Sequence, residues 1–168
     1  GKTSPVFVEQ TGANNPLGGD LGYWAAPTFV DIDGDGDFDA FVGTYFYPYG
    51  QSIRYLRNTG TATSPVFAEQ TGAANPFYGF YSYRATPTFA DIDDDGDFDA
   101  FIGNYSGTVD FFRNNDSSAN KTIPVFAQET GATNPLHGVR VGSPSAYGLR
   151  GYSSPVLADL DGDGDLDA

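Results

Sequence analysis

Short runs of alternating apolar and polar positions fill this chain, each closed by glycine, proline or asparagine. "PVFVE" (5–9), "PTFVDI" (27–32), "AFVGTYFY" (40–47), "IRYLRN" (53–58) and "TVDFFRN" (108–114) are short, aromatic and β-branched. Such residues fit a pleated, half-buried surface, so each run reads as a strand. The Gly-, Asn- and Pro-rich segments between them read as turns. No window carries a helical period of apolar positions. The pattern predicts an all-β chain.

The runs recur. "SPVFVEQTGANNPLGG" from Ser4 returns as "SPVFAEQTGAANPFYG" from Ser64 and as "IPVFAQETGATNPLHG" from Ile123. Without gaps, 28 of 41 positions are identical between 5–45 and 65–105, which implies tandem duplication rather than a merely shared fold. The units are residues 5–64, 65–123 and 124–168, with 1–4 as the tail of a preceding unit. The third carries nine extra residues between Pro135 and Pro155. Four short strands per unit is the size of one β-propeller blade or one β-solenoid unit. A closed propeller typically uses about four to eight blades, so the chain is expected to be a window on a longer array, closed as a ring or stacked as an open fibre. Open stacking would leave terminal edges to pair with neighbouring repeats or identical subunits.

Charge changes the picture because it is local. The formal net charge is −14, yet 16 of the 22 acidic residues sit in "DIDGDGDFDA" (31–40), "DIDDDGDFDA" (91–100) and "DLDGDGDLDA" (159–168). The remainder is near neutral and has no basic footprint, so a nucleic-acid partner is not expected. There are no cysteines, hence no disulfides. No apolar run approaches the roughly 18 residues of a membrane span.

Each acidic stretch fits D-x-D-x-D-G-x-x-D, a spacing that turns alternate carboxylates toward one ion. Calcium takes about six to eight hard oxygen ligands, and glycine at position 6 permits the tight turn. The ligands expected are Asp31, Asp33, Asp35, Asp37 and Asp39; Asp91, Asp93, Asp95, Asp97 and Asp99; and Asp159, Asp161, Asp163, Asp165 and Asp167. The position-7 residue would act through its backbone carbonyl. Three Ca²⁺, one per repeat, would bring the formal charge from −14 to −8. Magnesium prefers fewer carboxylates and more water, and zinc or copper would want His or Cys. An EF-hand is excluded: position 12 is Val42 or Ile102 within a strand, where a bidentate Glu is required.

"PTFxDIDxDGDFDAFxG" followed by "YLRNTG" or "FFRNND" resembles the FG-GAP repeats of integrin α-chain heads. It is still more similar to the VCBS-type repeats of large bacterial secreted and surface proteins. The resemblance covers the whole chain. It implies propeller blades whose loops bind Ca²⁺ as a structural element, with ligand roles on the Asp residues named above. Asp94 departs from the pattern, since the other loops have Gly34 and Gly162 there.

Outside the loops, most of the aromatic residues alternate within strands and read as core. Trp24, Tyr78, Tyr81 and Tyr83 lie in segments that differ between units. Two readings stay open for them: packing between units, or stacking on sugar rings or anchoring a partner. His137 has no catalytic constellation around it and reads as a surface or packing residue. Three N-x-S/T sequons mark Asn104, Asn115 and Asn120 as candidate glycosylation sites. The expectation is a non-catalytic, calcium-stabilised structural or adhesive module of a secreted or cell-surface protein, part of an extracellular filament. The alternative is a carbohydrate-binding propeller that uses its variable aromatic loops. Expected partners are neighbouring repeats, identical subunits, glycans or a cell-surface protein, without membrane insertion.

Overall fold

The computed structural model describes residues 4, 6–45, 51–116, 123–142 and 151–168. They form two four-stranded antiparallel sheets. The first has the order β1 (Ala26–Val30), β2 (Asp39–Gly43), β3 (Ile53–Asn58), β4 (Phe67–Gln70). The second repeats it with β5 (Thr86–Ala90), β6 (Asp99–Gly103), β7 (Val109–Asn114) and β8 (Phe126–Glu129). Pairing registers match: Val30 faces Asp39 as Ala90 faces Asp99, and Asn58 faces Phe67 as Asn114 faces Phe126. The only helical elements among the described residues are single 3-10 turns at Gly12–Asn14, Gly72–Ala74 and Gly131–Thr133.

Sheets and sequence units are out of phase. β4 lies in the segment that opens the second sequence unit, yet it closes the first sheet, and β8 does the same one unit later. This explains the one expected strand that does not form. Residues 6–9 are the counterpart of β4, but among the described residues they have no third strand to pair with, and Val6, Phe7 and Val8 are exposed. Beyond β8, the described residues of the third unit form no strand, only an isolated Ala158–Asp167 bridge.

β2 and β6 are buried along their whole length, as middle strands covered on both faces. The alternation of their side chains creates three apolar layers. Ala40 and Val42 pack with Leu56 under Leu17 and Leu21 on the outer face of the first sheet. Phe41, Ile53 and Tyr55 point the other way and meet Ala100, Ile102 and Phe112 of the second sheet, with Phe77 between them. Phe101 and Phe111 form the third layer with Leu136 and Leu157. Leu17, Phe77 and Leu136 are the same position in successive units, so one connector residue plugs each layer. The connector is held by an asparagine. Asn75 Nδ2 donates to the Ile53 carbonyl at 2.9 Å while its Oδ1 accepts from Phe77 N–H at 2.9 Å, and Asn134 does the same with Val109 and Leu136.

The sheets meet through backbone. A Cβ on Gly43 would collide with the Ala85 carbonyl and Pro87, and one on Gly103 with the Ser153 carbonyl and Pro155. Ala85–Pro87 and Ser153–Pro155 are equivalent segments, so the first sheet abuts the second as the second abuts the third unit.

Candidate metal centres

The first two acidic loops each leave the first strand of their sheet, turn, and re-enter at the second, and the third is closed by the Ala158–Asp167 bridge. The turn needs left-handed backbone. Gly36, Gly96 and Gly164 have φ of 91, 87 and 97° with open space around them, so conformation rather than crowding demands glycine. Position 4 is left-handed too. Gly34 and Gly162 fill it in two loops, and Asp94 adopts φ 58° in the other, a region that Asp tolerates better than most side chains.

The carboxylates at positions 1, 3 and 5 converge in the first two loops. Oxygens of Asp31, Asp33 and Asp35 lie within 4.8 Å of one another, as do those of Asp91, Asp93 and Asp95. In the third loop the converging set is Asp159, Asp161 and Asp167, from positions 1, 3 and 9, and all three are exposed. Two oxygens bound to one calcium at about 2.3–2.6 Å lie at most about 5 Å apart, so three such groups can hold a metal ion. Backbone N–H groups shape the turn: Asp31 Oδ2 accepts from Gly36 N–H at 3.0 Å, Asp91 Oδ2 from Gly96 at 2.9 Å and Asp159 Oδ2 from Gly164 at 3.2 Å. Asp37, Asp97 and Asp165 donate their N–H to Asp35, Asp95 and Asp163 Oδ1, and none of their side chains joins a cluster.

Three buried carboxylate oxygens have no hydrogen-bond donor among the described residues: Asp31 Oδ1, Asp33 Oδ1 and Asp99 Oδ2. A buried, charged acceptor without a donor is costly, and a cation relieves several such oxygens at once. Asp31 and Asp33 belong to the first cluster, whose residues therefore fit a bound divalent ion, while Asp99 stands outside the second cluster.

The position-9 residues of the first two loops sit in strands rather than in the carboxylate clusters. Asp39 is buried; its Oδ1 accepts from Asn58 N–H at 2.6 Å and its Oδ2 from the Tyr55 hydroxyl at 3.0 Å. It ties the loop exit to β3. Asp99 Oδ1 makes the same bond to Asn114 N–H at 2.7 Å, but Phe111 stands where Tyr55 would donate, which leaves Asp99 Oδ2 bare.

Two arginines complete the centres, and the sequence pattern did not mark them as functional. Arg57 Nη2 donates to Asp33 Oδ2 at 2.6 Å and lies 3.9 Å from Asp35 Oδ2. Arg113, its equivalent on β7, pairs with Asp93 through Nη1 and with Glu129 through Nε. Their signal was the repeated "RN" of "YLRN" and "FFRN": Asn58 and Asn114 shape the following hairpin while the arginine before each reaches back across the sheet. No arginine pairs with the third loop among the described residues.

Burial, followed by the neighbouring Asp35 charge, raises Asp33 above the ordinary carboxylate range. Burial pushes Asp39 and Asp99 up to about 6 from 3.8. Without metal, these two groups bind protons more tightly folded than unfolded. The stability this gives is complete below the unfolded value and is lost as pH rises through the folded one. Thermal melts in chelator should therefore fall from about pH 5 to about pH 7. A level or rising profile would show that Asp39 and Asp99 ionise without cost. Bound metal should reverse the trend, because its ligands must be deprotonated.

The other candidates scatter. Trp24, Tyr81 and Tyr83 line one cleft, whereas Tyr78 lines a separate shallow depression beside Phe77 and Phe112, which Tyr81 also borders. His137 is exposed. Asn104 is buried, and its amide donates to Thr108 Oγ1 and Asp110 Oδ2, both at 3.0 Å, so the folded chain offers that nitrogen no room for a glycan. Asn115 is exposed, and Asn120 lies outside the described residues. No helix among the described residues is long and apolar enough to cross a membrane.

No family model, no curated protein and no solved structure matches this chain.

Proposed function

We propose that this chain is a calcium-stabilised repeat module of the FG-GAP/VCBS type, built from propeller-blade-like sheets and serving a structural or adhesive role outside the cell. One observation carries the reading. Two loops 60 residues apart in sequence converge three carboxylates each and are tied to their own sheets by the same arginine and aspartate, and the first cluster retains two buried oxygens without donors. Duplication has kept the whole assembly, not the acidic residues alone. Bound calcium would be held by Asp31, Asp33 and Asp35, by Asp91, Asp93 and Asp95, and by the exposed set in the third loop. Its chemistry is electrostatic: it neutralises converging carboxylates and couples their burial to metal binding. The carboxylates are committed as ligands or strand ties, which favours a non-catalytic role. Sites of such solvent-facing carboxylates suit extracellular modules, which bind at about 10⁻⁴–10⁻³ M.

Native mass spectrometry across a calcium titration tests this. Two ions should bind first, and a third, at the exposed loop, should need more calcium. Magnesium at equal concentration should not displace them. No bound calcium at millimolar concentration, or preference for magnesium, would remove the proposal.

A further inference from the structure

Beside the seam between the sheets, away from the acidic loops, a cleft of about 740 Å³ is lined by Trp24, Tyr45, Tyr83, Arg84, Tyr105 and Tyr152, with Ser82, Ser106 and Asp110 among the polar positions of its wall. That volume lies within the roughly 300–1,000 Å³ of small-molecule sites. Its aromatic rings contact one another, yet three keep exposed surface: Trp24, Tyr83 and Tyr152 are 59, 51 and 52% exposed.

Arg84 sits among these rings. Its guanidinium carbon is 3.9 Å from the Trp24 ring centroid, 4.5 Å from that of Tyr152 and 5.8 Å from that of Tyr105. Unlike Arg54, Arg57 and Arg113, which each hold a carboxylate, it makes no ion pair or hydrogen bond among the described residues. Its Nε is buried without a partner. Stacking occupies the faces of the guanidinium and Nε is buried, which leaves the Nη1–Nη2 edge of N–H donors to take a planar carboxylate in a bidentate pair. Asp110, the carboxylate in the wall, does not serve. Its oxygens accept from Asn104 at 3.0 Å and Gln128 at 3.3 Å. Both Trp24 and Arg84 are held at φ 53°, a left-handed conformation that costs energy for such side chains and points to a demanded placement.

We propose that this cleft binds an acidic saccharide. A uronate-type sugar sets its carboxylate on the free edge of Arg84, packs the C–H face of its ring on the exposed aromatic faces, and meets hydroxyl-bearing side chains with its own hydroxyls. A peptide carboxylate would satisfy Arg84 equally well. It is the combination of flat aromatic faces with a wall of tyrosine and serine hydroxyls that suits a polyol ring. The site uses none of the acidic loops and stands whether or not the metal reading does.

Trp24 is the only tryptophan, so its fluorescence reports on the cleft alone. The whole chain, in excess calcium, is titrated with a glucuronate-containing tetrasaccharide and with its carboxyl-reduced, neutral counterpart. The acidic sugar should quench or shift Trp24 saturably, and the neutral one should bind at least tenfold more weakly. Arg84→Gln should erase the difference, and Arg84→Lys should restore only part of it. Equal binding of both sugars, no binding of either, or equal binding of hexaglutamate would overturn the proposal. The comparison of the two sugars on the unaltered chain needs no variant to fold.

Discussion

A chelator is expected to lower the melting temperature of this chain by about 10–20 °C. A ligand a hundredfold above its Kd stabilises the native state by about 2.7 kcal/mol per site. Two built sites thus supply about 5 kcal/mol, and for a chain of this size each kcal/mol moves Tm by about 2–4 °C. Physically, removing the ions restores charge repulsion among Asp31, Asp33 and Asp35 and among Asp91, Asp93 and Asp95. Arg57 and Arg113 each offset only part of it, from one side. The third set is exposed and should add little. Scanning calorimetry in calcium a hundredfold above the Kd, about 10–100 mM for sites of this class, and in chelator gives the shift directly. Readdition of calcium should restore the melt and magnesium should not. A melt unchanged by the chelator would mean that the arginines and backbone N–H groups suffice, and the structural-ion proposal would fail.

Replacing Phe77 with alanine is expected to cost about 3–5 kcal/mol, the range for a buried phenylalanine whose surroundings cannot collapse. Phe77 is 2% exposed and lies between the two sheets. Its ring meets Phe41 edge-on at 5.9 Å, Phe112 edge-on at 5.4 Å and Phe126 stacked at 4.9 Å. The backbone contact at Gly43 keeps the sheets from closing on the void. Phe77→Leu puts in the side chain that the equivalent positions 17 and 136 already carry, and should cost less than about 1.5 kcal/mol. Urea unfolding measures both. A Phe77→Ala loss below about 1 kcal/mol would show that the shared layer does not hold the sheets together.

Alternation of side chains made most strands legible, because a strand buried on one face must write that fact every second residue. The expected strand at 5–9 failed for a reason outside its own residues. A strand of this type exists only as the fourth partner of another sheet, and "PVFVE" carries the right side chains without the right neighbour. The acidic loops were legible as stretches able to hold a metal ion because so local a charge calls for a counter-ion. How the carboxylates divide their labour was not. Position 9 needs a carboxylate whether it holds an ion or ties down Asn58 N–H, and spacing alone cannot separate these uses. Arg57 and Arg113 were hidden because the sheet, not the sequence, brings residues about twenty positions apart into contact. The aromatic candidates divided for a similar reason. Tyr78 and Tyr83 are five residues apart, yet they line different hollows.

The meeting of sheets at Gly43 and again at Gly103 has a consequence for how such a chain changes over generations. Main chain against main chain, with the hydroxyls of Ser52 and Thr86 bonding across, fixes the turn from one unit to the next, and none of these groups belongs to the slot of Trp24 and Arg84. Residues on that edge are thereby released from architectural duty. Trp24 and Arg84 show the outcome: one slot, one backbone conformation, and two chemically unrelated occupants that touch each other. The edge works like a row of type set in a rigid frame, where a single letter can be exchanged while the line keeps its length and curvature.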